Sequence, residues 1–189
     1  PHGGYYTQDD LREIVRYAAD RYIDVVPEIE MPGHARAAIA AYPELGCYPE
    51  KKLRPWTRWG ICEDIFNPFD PTLAFLQDVL TETMDIFPSR LVHIGGDEAV
   101  KTQWKSVPSI QARMRELGLK NEEELQSWFV RQMDKFLASH GRRLVGWDEI
   151  LQGGLAPGAV VMSWAGEEGG IAAAKAGHDV VMTPRFYTY

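Results

Sequence analysis

The run His93-Ile-Gly-Gly-Asp97-Glu98 places two adjacent carboxylates directly after two glycines. Neighbours on a regular strand point to opposite faces, so both acids enter one pocket only where a strand breaks. Gly95 and Gly96 permit that break and let a ligand approach the backbone closely. Two carboxylates held close shift each other's proton affinity, one staying protonated longer than it would alone. A general acid beside an ionised partner suits the cleavage of acetals. An Asp-Glu pair also serves to cap a helix and fill its first turn. Here the glycines, His93 and the strand-end setting favour chemistry.

Other candidates stand at equivalent places. Glu28 and Glu30 flank Ile29, so both point one way, and His34 follows closely on Met31-Pro-Gly. One of the two glutamates is expected to line the site, and Glu30 has an equal claim as the structural partner of an arginine. Trp147 and Trp164 close two later apolar runs. Trp offers the largest flat aromatic face, which more often packs in a core than serves as a platform for a ligand. His93, inside its run, reads as structural, and Glu149 as a support for neighbouring groups. His34, His93, Asp97 and Glu98 are also the donor types of a metal-dependent hydrolase. They include no close-spaced His pair, so neither a metal nor a cofactor is expected.

The elements that must position these residues follow from periodicity. Thr7-Gln-Asp-Asp10 predicts a near-capping box and a helix to about Asp20. Ile23 to Ile29 predicts a buried strand. A Pro-, Gly-, Tyr- and Trp-rich segment runs from Ala35 to Asn67, helical in part over Ala35 to Tyr42, and loops of such length are usually functional. Asp70-Pro71 opens a helix to Phe87, and Leu91 to Ile94 is the next strand. Asn121 caps a helix that ends at His140-Gly141. Strands at Leu144 to Trp147 and Val160 to Trp164, an Ala-rich helix from Glu168 to Ala176 and a strand at Val180 to Thr183 complete the pattern. Continuous apolar strands joined in this way predict an α/β fold with a parallel sheet covered on both faces. The polar and aromatic residues gather after the C-terminal ends of four strands, which favours a (β/α)8 TIM barrel over a doubly wound sheet. No Gly-rich phosphate fingerprint opens a helix. About five of eight strands are represented, as in the middle of a barrel.

Composition agrees with a globular domain: 189 residues, 45% apolar, net charge −7. The basic residues are scattered, which argues against nucleic acid or an anionic membrane surface as partner. No apolar run approaches a membrane span, and the first residues are unlike a signal peptide. Cys47 and Cys62 match no zinc pattern and leave pairing open.

His93-Ile-Gly-Gly-Asp97-Glu98 resembles the signature of the family 20 glycoside hydrolases, the β-N-acetylhexosaminidases. Val26-Pro-Glu-Ile-Glu-Met-Pro-Gly-His34, Ala41-Tyr-Pro-Glu-Leu45, Trp59-Gly60, Val145-Gly-Trp-Asp-Glu149 and Met162-Ser-Trp164 fall in the family's order. The resemblance covers essentially residues 1–189 and implies a partial catalytic barrel, about strands 3 to 7. It implies exo-acting, retaining hydrolysis assisted by the substrate's own 2-acetamido group, an exception to the two-carboxylate scheme. Glu98 then matches the general acid/base and Asp97 the residue that orients the acetamido group. His34 matches a histidine near the acid, Trp147 and Trp164 match pocket walls, and Tyr189 matches a tyrosine that bonds the acetamide. The implied partner is an N-acetylhexosamine-terminated oligosaccharide or glycoconjugate. The family's first strands supply an arginine and an aspartate to the sugar, and its last strand a Trp and a Glu. None of these is in the sequence, so the rest of the barrel is expected from further chain. The alternative is a carbohydrate-binding remnant without turnover. Secreted, periplasmic or lysosomal placement ranks ahead of cytoplasmic.

Overall fold

A computed structural model of the chain describes residues 3–188. Helix α1 spans Gln8–Ala19, and its start shows how local chemistry fixes an end. The Thr7 hydroxyl accepts the Asp10 N–H at 3.1 Å while the Asp10 carboxylate accepts the Thr7 N–H at 2.8 Å, completing the capping box. Helices α2 (Arg36–Ala41) and α3 (Asp70–Ile86) follow. In α3, Phe69 takes the cap position and Asp70 the first turn, one residue earlier than the Asp-Pro signal implies. Asn67 Oδ1 accepts the Phe69 N–H at 3.2 Å and the Thr72 hydroxyl at 2.7 Å, so a side chain two residues upstream secures this end.

Strand β1 (Leu91–His93) leads through α4 (Thr102–Ser106), α5 (Pro108–Glu116) and α6 (Glu122–Ser139) to β2 (Arg143–Trp147). Strand β3 (Val160–Ser163), α7 (Glu168–Lys175), β4 (Val180–Met182) and α8 (Arg185–Thr188) complete the chain. Asn121 Oδ1 caps α6 by accepting the Glu124 N–H at 2.9 Å, as its sequence position predicts. The four strands are all parallel and in sequential order, with Val92 opposite Leu144, Val145 opposite Val160, and Val161 opposite Val180. Sequential parallel order is that of a barrel wall, not of a doubly wound sheet, whose order reverses. The fold is therefore a partial α/β barrel.

The expected strand from Ile23 to Ile29 is displaced. Pairing with β1 begins only at the Pro27 carbonyl, which accepts the His93 N–H. It continues as Ile29 N–H to the His93 carbonyl and Met31 N–H to the Ile94 carbonyl, each at 2.9 Å. A single parallel bridge, Glu28 to His93, marks this fifth segment. Ile23 is 58% exposed, and Tyr22 adopts a positive φ of 58° just before it. A β-branched run reports preference for extended backbone, but burial needs a covering neighbour. Among the described residues none covers Ile23.

Leu73, Leu76 and Leu80 of α3 and Phe129, Met133 and Leu137 of α6 bury against Val92, Ile94, Leu144 and Val161. Each such side chain contributes roughly 1.5–3 kcal/mol. A second cluster centres on Trp104, with Ile65, Ile110 and Leu125, and the indole N–H of Trp104 donates to the Phe66 carbonyl at 2.9 Å. Helices α4 and α5, which supply Trp104 and Ile110, have no counterpart in the sequence reading. They are short, five and nine residues, and carry too few apolar positions to show a period. Cys47 and Cys62 are buried free thiols, and burial pushes Cys47 up to about 12, far from reactivity at neutral pH. Among the described residues no helix is long and apolar enough to cross a membrane.

Both lateral edges of the sheet, the Pro27–Met31 segment and β4, lack a further strand partner among the described residues. Unpaired parallel edges invite association. Residues 1–189 expressed alone are expected to self-associate, as read by light scattering during size-exclusion chromatography. Val181→Lys, at an exposed position of β4, should reduce that association. A monodisperse parent chain would contradict it.

Candidate active site

Backbone geometry builds the site. Gly95 and Gly96 have φ of 66° and 92°, and Glu98 itself sits at 48°. These left-handed residues turn the chain out of β1 and send Asp97 and Glu98 into one pocket. The turn is clamped. The Gly95 N–H donates to His93 Nδ1 at 3.0 Å, the Gly95 carbonyl accepts the Trp147 N–H at 2.8 Å, and Gln126 of α6 donates to the Gly96 carbonyl at 2.7 Å. At Gly33 an added Cβ would lie 2.9 Å from the Asp97 carbonyl. That close backbone approach brings the next residue, His34, to the acids.

His34 Nε2 lies 3.4 Å from Asp97 Oδ2 and 3.3 Å from Glu98 Oε2. One imidazole thus bridges both carboxylates, a contact that two isolated motifs in the sequence do not reveal. The pocket encloses about 640 Å³, within the range of small-molecule sites. Trp147 and Trp164 form one corner, ring centroids 6.4 Å apart and planes at 70°. Each indole is anchored by a carboxylate: Trp147 Nε1 donates to Glu28 Oε1 and Trp164 Nε1 to Glu149 Oε2, both at 3.0 Å. Burial pushes the Glu149 carboxyl up, and the Asp97 charge adds to the effect. Asp148, buried behind, accepts the Trp164 and Ala165 N–H groups at 3.4 Å and fixes the turn that carries Trp164. Arg58, Trp59 and Ile61, from the long loop before α3, close the rim opposite. Arg36 holds that loop at two points, bonding the Arg54 carbonyl at 2.7 Å and the Asp64 carboxylate, which also accepts from Gln103 at 3.0 Å.

The structure therefore brings Asp97, Glu98, His34, Trp147 and Trp164 together, and Tyr189 lies outside the described residues. His93 is buried, with its ring against Trp147 at 4.6 Å, and burial lowers its proton affinity. Glu30 forms no ion pair with an arginine among the described residues. It lines the pocket beside Glu28, so both glutamates belong to the site. The pairing of Glu28 with an indole and the rim of Arg58 and Ile61 had no motif of their own. His34, Asp97 and Glu98 bring one donor atom each within 4.8 Å of one another, which is cation-sized spacing. Among the described residues the other imidazole at this strand end, His93, has its Nδ1 committed to the Gly95 N–H.

Acids and tryptophans at the C-terminal ends of parallel strands define an active site of the α/β-barrel class. The chain belongs to glycosyl hydrolase family 20: the family's catalytic domain matches residues 1–189. It is 55% identical over 184 residues to a β-hexosaminidase of Porphyromonas gingivalis, covering 97% of this chain and 24% of that protein. It is 40% identical over 190 residues to a β-hexosaminidase of Vibrio furnissii, covering 100% of this chain and 31% of the relative. The X-ray structure of Flavobacterium johnsoniae chitobiase superposes with a TM-score of 0.89 at 38% identity, covering 97% of this chain and 29% of that one. The Vibrio harveyi exo-β-N-acetylglucosaminidase in complex with N-acetylglucosamine gives 0.85 at 35%, with the same coverage. The chain thus spans about a quarter to a third of these relatives.

The turn makes a direct prediction. At Gly95 an added Cβ would overlap the Glu30 carboxyl, whereas at Gly177, φ 85°, nothing lies within 4 Å. Gly177→Ala should cost only the left-handed strain, about 1–2 kcal/mol, and Gly95→Ala clearly more. Urea denaturation of the two variants measures the difference, and equal losses would remove the Gly95–Glu30 contact.

Proposed function

We propose that the chain carries the acid/base machinery of an exo-acting, retaining β-N-acetylhexosaminidase. Its substrate class is oligosaccharides or glycoconjugates ending in β-linked GlcNAc or GalNAc, and its parallel segments are about strands 3 to 7 of an eight-stranded barrel. The carrying observation is the adjacency of Asp97 and Glu98 in one pocket, bridged by His34 at 3.4 and 3.3 Å. Sequence neighbours are poorly placed to attack opposite faces of one sugar, so one acid and one orienting carboxylate is the easier assignment. The similarity to a chitobiase and to an exo-β-N-acetylglucosaminidase supports the same substrate class.

Glu98 protonates the glycosidic oxygen as the bond from the anomeric carbon breaks. The carbonyl oxygen of the 2-acetamido group bonds to that carbon on the other side and forms an oxazolinium ring. The Asp97 carboxylate accepts the acetamido N–H, holds the carbonyl in line and faces the positive charge that develops. Glu98, now a carboxylate, takes a proton from water, which attacks the anomeric carbon and reopens the ring with configuration retained. His34 holds both carboxylates in register. Trp147 and Trp164 offer their faces to the sugar and exclude water from the reacting bond.

In the full-length protein, Glu98→Gln is expected to slow hydrolysis by roughly 10²–10⁴-fold. Aryl substrates with good leaving groups should lose less, and equal losses would take Glu98 out of the acid role. Asp97→Asn should reduce the rate about 10²-fold on N-acetylglucosaminides. Wild type should be essentially unreactive toward a glucoside lacking the acetamide, and Asp97→Asn no worse. A glycosyl adduct trapped covalently on Asp97 by a fluorinated sugar would replace substrate assistance with enzymatic nucleophilic attack.

A further inference from the structure

Beneath the acid pair lies a carboxyl that the mechanism above does not use. Glu30 reaches from the segment beside β1 into the notch left by the missing side chain of Gly95, where an added Cβ would overlap it. Its carboxyl lies within hydrogen-bond reach of both Asp97 and Glu28. Glu30 Oε2 and Asp97 Oδ1 are both buried and have no donor from the protein. Two buried acceptors in neighbouring carboxyl groups, with no arginine or lysine paired to Glu30 among the described residues, are a costly arrangement if both are charged. A single proton resolves it, because a neutral carboxylic acid has an O–H to donate.

We propose that Glu30 is a positioning residue that stands as a neutral carboxylic acid and donates its proton in a hydrogen bond to Asp97. The inference rests on the functional reading above, since it concerns how Asp97 is held for the acetamido group. The groups facing Glu30 favour placing the proton there. Glu28 approaches from its own segment, and Asp97 from the end of β1. His34 sits on the far side of Asp97, 3.4 Å from Oδ2, and so serves the opposite oxygen. His93 is buried, with its Nδ1 3.4 Å from Glu28 and accepting the Gly95 N–H. Glu149 is close enough for the Asp97 charge to act on it. Burial, then the charges of Asp97 and Glu28, pushes the Glu30 carboxyl up to about 9. Asp97 is thus gripped by His34 on one oxygen and by Glu30 on the other. A neutral donor fixes its rotamer without adding charge.

Activity is expected where Glu30 holds its proton and is lost as pH rises through its ionisation, giving an alkaline limb near 9 in kcat/KM. Glu30→Gln keeps the shape and a donor, so it should retain activity within a few-fold of wild type at pH 7 and shift or abolish that limb. Glu30→Leu should lose about 10- to 100-fold, the worth of one hydrogen bond to a charged group. Thermal melting of each variant separates this from unfolding. Infrared spectra of the full-length protein at pH 7 should show the carbonyl stretch of a protonated carboxylic acid that disappears in Glu30→Gln, a readout that needs no turnover. If that band is present but N-acetylglucosaminides are not hydrolysed, the functional reading fails while the protonation state stands. No such band, or a Glu30→Gln variant as impaired as Glu30→Leu with its pH profile unchanged, overturns the proposal.

Discussion

The site depends on one backbone event, the exit of the chain from β1 through two consecutive left-handed glycines. An ordinary strand end would direct Asp97 and Glu98 to opposite sides, one toward the pocket and one into the packing beneath α6. The left-handed turn places both on the same side, and the rest of the neighbourhood is arranged to hold it. Gln126 from α6, the Trp147 N–H from β2 and the His93 ring all bond to the glycine pair. Helix α6 therefore does more than cover the sheet. It links the large core, through one buried amide, to the peptide just before Asp97 and Glu98.

A second feature of the site is its use of carboxylates to aim aromatic rings. An indole needs its N–H satisfied when it is partly buried. Glu28 and Glu149 supply that acceptor for Trp147 and Trp164, so the two ring planes are set by hydrogen bonds as well as by packing. Five acids, Glu28, Glu30, Asp97, Glu98 and Glu149, consequently crowd one strand-end region. Burial, reinforced by the neighbouring charges, raises the proton affinities of Glu30 and Glu149.

Much of this was legible before any coordinates. Strands β1 to β4, the caps at Thr7 and Asn121, and the barrel-like gathering of polar residues at strand ends all follow from local pattern. So do Asp97 and Glu98, because Gly-Gly before Asp-Glu has a steric meaning in a single strand. The contact of His34 with both acids, about sixty residues away in sequence, required the close approach of Gly33 to the Asp97 backbone, which no local pattern reports. For Glu30 the sequence leaves lining the site and pairing with an arginine evenly balanced, because a strand alternation gives its side but not its neighbours. The segment at Ile23 misled for the opposite reason: β-branched residues announce extended backbone whether or not anything covers them. Helices α4 and α5 escaped because each carries too few apolar residues to show a period.

The triangle of Arg36, Asp64 and Gln103 has a bearing on ligand capture. It ties the long loop to α2 and α4 at a point where burial pushes the Asp64 carboxyl up and the bonds from Gln103, Arg36 and Cys62 outweigh that push, leaving it lowered overall. The loop is thereby anchored at Arg54 and at Asp64, on either side of the fully exposed Trp59. Two fixed ends shorten the stretch of loop that a ligand entering the pocket would have to order, so less of the contact energy is offset by ordering the rim.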